Sequence, residues 1–258
     1  TTYRNIHGRS IQAVTTDPTE SVAEGQIWYN TTSDTFKSVI ASEAFSSSGN
    51  LGTARYRLGS AGTQTEGLGF GGNTPGGSPT KTTATEEYNG IGWAVGGALG
   101  TARYAIGGCG TQTAGLGFGG FDAPSPGNLT NTEEYDGSSW TAGGALPVAK
   151  RGMGSAGIQT AGLSFGGYTT TNLNTTEEYD GSSWTSGGTL NQARRFIGGA
   201  GTQTAGLGFG GLLNTPSPGA RTTDTEEYDG SSWTTSGAMN TARDGLGGAG
   251  TQTAALGM

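Results

Sequence analysis

In residues 110–120, GTQTAGLGFGG, apolar Leu116 and Phe118 alternate with glycines, giving one greasy face and one bare face. A period of two predicts a strand, and a glycine face suits the close approach of a second backbone. The same eleven letters return at 201–211, and near-copies stand at 62–72, 157–167 and 250–258. A second block, TEEYDGSSW, falls at 132–140, 176–184 and 225–233, with TEEYNGIGW at 85–93. TEEY predicts a short strand, Asp-Gly a tight hairpin turn, and the tryptophan opens the returning strand. A third block precedes each glycine-rich one: TARYRLG, TARYAIG, VAKRGMG, QARRFIG and TARDGLG. The TQT triplet reads as a polar turn between two strands, and no helical period appears. The opening glycines at 62, 110, 157, 201 and 250 set a period of 44 to 49 residues. Four short strands in such a period are what one propeller blade needs.

Counting strands decides how the chain ends meet. First and second strands begin near Arg55, Arg103, Lys150, Arg194 and Arg243, but third and fourth strands follow only the first four. The missing pair has to come from the N-terminal side. GQIWYNTTSDTFKSV at 25–39 reads as a hairpin carrying Tyr29 and Phe36, and the segment 38–45, ending in Phe45, is its rival. The expectation is an all-β, five-bladed ring over 26–258. N-terminal strands complete the C-terminal blade, and residues 1–25 form an arm. Closure removes the open sheet edge that invites aggregation.

Composition narrows the class. Of 258 residues, 52 are glycine and only 13% are charged, while 22 aromatics recur at regular places, which argues for an ordered glycine-rich β protein. The net charge of −7 and the lack of a basic stripe speak against nucleic acid. No long apolar run predicts membrane insertion.

The blocks resemble the kelch repeat, in which a double glycine, a Glu-x-Tyr-Asp strand and a tryptophan follow one another. Gly119-Gly120, Glu133-x-Tyr135-Asp136 and Trp140 match in that order, as do the sets ending in Trp93, Trp184 and Trp233. The resemblance implies a kelch-like propeller, with Trp93, Trp140, Trp184 and Trp233 as structural wedges. The turn before the tryptophan is shorter than is usual in that family.

Candidate chemistry is sparse. Glu86, Glu133, Glu177 and Glu226 recur once per repeat, so pairing with the base at the head of a first strand explains them better than acid catalysis, which needs two carboxyls in unequal surroundings. His7 is the only histidine, and Cys109 stands where sister repeats have alanine. No catalytic residue, metal or cofactor is therefore expected. What differs between repeats is the stretch after each double glycine, at 73–84, 121–131, 168–175 and 212–224. Loops on a rigid scaffold commonly carry binding. Asn73, Lys81, Phe121, Asp122, Tyr168, Asn172, Leu212, Asn214 and Arg221 are the candidate contact residues.

The opening 38 residues, with GQIWYNTTSDTFK, are similar to the start of structural proteins of tailed phages, notably those of marine cyanobacteria. That resemblance implies a non-enzymatic virion component: a tail fibre, an appendage or a capsid decoration. It would dock on other virion proteins through the arm and show its loops to a host-surface glycan or protein. Self-association stays open. A bacterial kelch-like protein-interaction module is the alternative, and a glycan-active enzyme a distant one.

Overall fold

The alternating, glycine-rich blocks do form strands. The computed structural model describes residues 12–16, 27–38, 47–76, 80–123, 127–214 and 219–258, and among these the regular structure is all strand. The chain divides into two compact units, 1–47 and 48–258.

In the second unit, four repeats each build a four-stranded antiparallel meander. Repeat 2 shows the scheme: Gly107–Gly110, Gly115–Phe118, Thr132–Tyr135 and Trp140–Ala142 pair in that order, with Gly117 opposite Glu133 and Glu133 opposite Ala142. Repeats 1, 3 and 4 repeat it from Gly59, Gly154 and Gly198. Repeat 5 is a two-stranded sheet, Gly248–Gly250 with Ala255–Gly257. At the far end of the meanders from TQT and DGSS, the variable connection folds back as its own small hairpin in repeats 1, 2 and 4, and in repeat 3 by the single bridge of Tyr168 to Asn172. Asn73–Thr74 pairs with Thr80–Lys81, Phe121–Asp122 with Gly127–Asn128, and Leu212–Leu213 with Ala220–Arg221.

Successive repeats meet through their first strands, and glycine makes that approach feasible. A Cβ on Gly199 would stand 2.2 Å from the Ser155 carbonyl oxygen of the preceding repeat. The leucine of each second strand then fills the bare face ahead of it. Leu116 reaches to 2.7 Å from where a Gly162 Cβ would lie, and Leu163 does the same at Gly206. These leucines, with Phe118 and Phe165, are completely buried.

Four kinds of polar bond fasten each repeat or tie it to its neighbour. The base heading each first strand is buried against the glutamate of its own third strand: Arg55 with Glu86 (2.8 Å), Arg103 with Glu133 (3.0 Å, an ion contact without hydrogen-bond alignment), Lys150 with Glu177, and Arg194 with Glu226 (2.7 Å). The other glutamate oxygen accepts a backbone amide in three repeats, from Gly52 to Glu86 and Gly100 to Glu133 at 2.6 Å and from Asn191 to Glu226 at 2.7 Å, and in repeat 3 Glu177 accepts the Thr175 hydroxyl at 2.9 Å. Three tryptophan indoles donate back to the preceding repeat, Trp140 to Thr85, Trp184 to Thr132 and Trp233 to Thr176, each at 2.9 Å, while Trp93 donates to the Gly49 carbonyl at 3.1 Å. The Tyr179 hydroxyl likewise donates to Glu134 at 2.5 Å.

TQT is more than a polar turn. The Gln203 amide donates to the carbonyls of Gly162 and Tyr179, one repeat back, and Gln112, Gln159 and Gln252 do the same. DGSS is the tight turn expected. Asp136 Oδ1 accepts the amides of Ser138 and Ser139 at 2.8 Å, and these bonds hold its carboxyl at about 2.

The expected closure is not made among the described residues. The hairpin does form, Ile27–Asn30 with Thr35–Ser38, but Gln12–Val14 joins it in parallel to give a separate three-stranded sheet. The rest of the expected arm and the rival stretch 39–45 lie outside the described residues, as does His7. Repeat 5 is correspondingly bare. Leu256 is 48% exposed where its sister Leu116 is 0%, and Arg243 is exposed where Arg103 is buried. Gln64, whose sisters all bond backwards, is exposed too.

Candidate functional site: a cationic cavity among the repeats

Directly after the recurrent base, each repeat carries a pair of residues that differs from copy to copy: Tyr56-Arg57, Tyr104-Ala105, Arg151-Gly152, Arg195-Phe196 and Asp244-Gly245. The second member is left-handed in all five, with φ of 54°, 53°, 61°, 53° and 66°. Glycine takes this conformation freely at 152 and 245. At Arg57, Ala105 and Phe196 it costs roughly 1–2 kcal/mol each. A series of backbone bonds holds it. The Ala105 amide donates to the Arg57 carbonyl (2.8 Å), Gly152 to Ala105 (2.9 Å), Phe196 to Gly152 (2.6 Å) and Gly245 to Phe196 (3.0 Å). The bond that would complete the circuit, from Arg57 back to Gly245, is not formed.

In repeats 1 to 4 the first member of the pair is bridged to the variable connection of its own repeat. Tyr56 faces Asn73, Tyr104 faces Phe121, Arg151 faces Tyr168, and Arg195 pairs with Leu212. The two variable regions of the repeat are thereby fixed side by side, at the loop end of the sheets.

Their side chains converge on a cavity of about 230 Å³ lined by Arg57, Tyr104, Arg151, Tyr168, Arg195 and Phe196. The Arg57 guanidinium lies 5.0 Å from the centre of the Phe196 ring, although the two come from repeats 1 and 4. In a straight array of sheets about 10 Å apart these repeats would stand roughly 30 Å from one another. The repeats therefore curve around the cavity. Arg151 sits 4.1 Å over Phe121 and 5.0 Å from Tyr168, and Arg195 lies 4.7 Å from Tyr168 on its other contact.

The arginines are oriented but not neutralised. Arg151 Nη1 donates to Asn128 Oδ1 at 3.0 Å, and Arg195 Nη1 to Asn172 Oδ1 at 2.8 Å. Each asparagine is set by its own Nδ2, which donates to the carbonyls of Tyr168 and Thr169 in one case and of Leu212 in the other. None of the six lining residues is acidic, and among the described residues no carboxylate pairs with Arg57, Arg151 or Arg195. Burial pulls Arg151 below the usual arginine range; Tyr104 and Tyr168 oppose this, and Arg195 and Arg57 add to it. A second cavity of about 510 Å³ shares Arg57 and Tyr104 and extends to Asn73, Lys81 and Ala123.

The candidate contact residues divide accordingly. Tyr168 lines the first cavity, and Asn73 and Lys81 line the second. Phe121 and Asn172 support the arginines from behind, while Leu212 supplies a strand partner. Asp122 is ion-paired with Lys81, and exposed Arg221 is ion-paired with Asp244. Asn214 is half-buried in the connection and lines neither cavity. The sequence reading missed Arg57, Tyr104, Arg151, Arg195 and Phe196. The signal was present: two adjacent letters vary inside a block whose other letters recur.

The repeated glutamates are all committed to their buried bases. Cys109 is a small strand residue, its thiol pushed up to about 12 by burial. Among the described residues no group of three His, Cys, Asp or Glu side chains is placed to hold a metal ion. No known protein-family model matches this chain, and no curated protein matches it significantly.

Proposed function

We propose that this chain is a non-enzymatic binding module, a kelch-like propeller of five blades carried on a tailed-phage particle, which offers the loop end of its sheets to a host-surface glycan. One observation carries the binding reading. Positions at which the repeats differ line two adjoining cavities that share Arg57 and Tyr104, whereas those at which they agree are spent on holding the sheets. A catalytic reading has little to build on, because the four equivalent glutamates sit in equivalent ion pairs and no pair has the unequal surroundings that acid–base work needs.

The propeller reading is supported by the four meanders, their contact through first strands and the meeting of repeats 1 and 4. The virion placement rests on the resemblance of the opening 38 residues. There the N-terminal region docks on other virion proteins and the cavity faces outward.

The test is mass spectrometry of purified particles joined to a cell-adsorption assay. The chain is expected in the particle, and a particle carrying Arg151→Met with Arg195→Met is expected to assemble but adsorb poorly. A chain missing from particles defeats the virion reading and leaves an interaction module. Unchanged adsorption by the variant particles defeats the binding role of the cavity.

A further inference from the structure

The protein as a whole is acidic, with 13 Lys and Arg against 20 Asp and Glu, yet three arginines share one small cavity without a carboxylate among its lining residues. Like charges held together in a partly dry site repel and lack the solvation they would have in water. A fold keeps such a cluster cheaply only when something negative enters it. The aromatic faces do not serve that purpose, because Phe121, Tyr168 and Phe196 are already covered by guanidinium groups. Among the described residues Arg151 and Arg195 each spend only Nη1 on a side-chain hydrogen bond, which leaves Nη2 and Nε as a donor pair that matches the two oxygens of a carboxylate or sulfate.

From this cluster we infer that the cavity binds the carboxylate or sulfate of one acidic sugar unit, with Arg151 and Arg195 as the fork donors and Arg57 closing the third side. The inference rests on the glycan-binding reading above and adds the charge of the ligand to it. Three observations favour a compact acid over an acidic peptide strand. The volume of about 230 Å³ is of the order of one sugar ring. The edges beside it are already bridged, Tyr104 to Phe121, Arg151 to Tyr168 and Arg195 to Leu212, so no free backbone edge offers itself for strand addition. The hydroxyls of Tyr104 and Tyr168 supply the donor and acceptor groups that sugar hydroxyls require. The mutual repulsion that helps to depress Arg151 is the strain a bound anion would relieve.

The experiment is calorimetric titration of the full chain with sodium glucuronate, with glucose 6-sulfate, with uncharged glucose and with an oligoglutamate peptide, each at low and high salt. Both acidic sugars are expected to bind, glucose at least tenfold more weakly, and the acid-dependent part is expected to shrink with salt. Arg195→Met should abolish the difference between acid and neutral sugar, while Arg195→Lys should keep part of it. Both variants should melt within about 3 °C of the parent, a shift that corresponds to a small loss of stability. Preference for glucuronate over the sulfate, or the reverse, tells which acid the site takes. Equal binding of glucose and the acids overturns the charge inference and leaves the glycan reading standing. Binding of the peptide alone overturns the glycan reading, and no binding by any of the four overturns both.

Discussion

Lys150 and Arg151 are neighbours in sequence, as are Arg194 and Arg195, yet the members of each pair have opposite fates. Lys150 and Arg194 are completely buried, each against one glutamate, and each is pulled below its usual range by burial with the carboxylate opposing. Arg151 and Arg195 lie over aromatic rings at the rim of a cavity and meet only asparagine. The recurrent base belongs to the frame in the four repeats that bury it against a glutamate. The base that appears in some repeats and not others belongs to the site. Charge alone does not separate the two, whereas recurrence does.

The comparison is broken most directly at the frame. Glu226→Ala leaves Arg194 buried and unpaired, and equilibrium unfolding in urea should show a loss of about 3–5 kcal/mol. Arg243→Ala, at the exposed equivalent in repeat 5, should change almost nothing. Trp184→Ala removes a ring packed 4.8 Å from Phe118 and 4.9 Å from Tyr179, for a loss of about 3–5 kcal/mol. Among the described residues Trp93 meets only the Tyr88 ring, at 5.2 Å, and should lose less. Leu116→Ala should cost about 2–5 kcal/mol, against under ~1 kcal/mol for the half-exposed Leu256. If those two leucines lose equally, repeat 5 is packed in solution as the middle repeats are.

Substitutions at the site should scarcely register in stability. Arg151→Met is expected to shift the unfolding free energy by no more than ~1 kcal/mol, and a larger loss would make Arg151 part of the frame. The smallest effect belongs to the exposed turn aspartates. Asp136, Asp180 and Asp229 are held at about 2, below the ordinary 3.8, chiefly by the amides of Ser139, Ser183 and Ser232. A depressed carboxyl stabilises fully above its unfolded value and loses that contribution as pH falls through the folded one. Melting temperature should thus be insensitive to these groups above about pH 4 and should fall between there and about pH 2. Asn at all three positions should remove that part of the acid limb.

Much of the frame was legible in the sequence because it is written several times over. Strand periodicity, the Asp-Gly turn and the recurrence of Glu133 and its sisters each pointed to what the structure holds. The backward reach of Gln203 was not legible, since a polar turn and a polar latch have the same letters and differ only in what lies one repeat away. Nor was the separate sheet at 12–38. Its hairpin could be read locally, but its parallel partner at Gln12–Val14 comes from a stretch without alternation. The site was half legible. Tyr168 and Lys81 stood in the variable connections, where variation drew the eye, while Arg151 and Arg195 hid inside a recurrent block.

The left-handed backbone series has a consequence for descent. The bonds from Ala105 to Arg57 and onward to Gly245 use only main-chain groups, and residues as unlike as arginine, alanine, glycine and phenylalanine already occupy the same turn. The geometry of the cavity is thus independent of the letters that line it. A duplicating lineage inherits a fixed set of addressable sockets, and re-lettering the pair after each base changes the lining of the cavity at a cost of roughly 1–2 kcal/mol wherever a non-glycine residue takes the left-handed position. Selection on the ligand and selection on the scaffold then act on different alphabets. That independence would let such an array vary its lining one codon at a time.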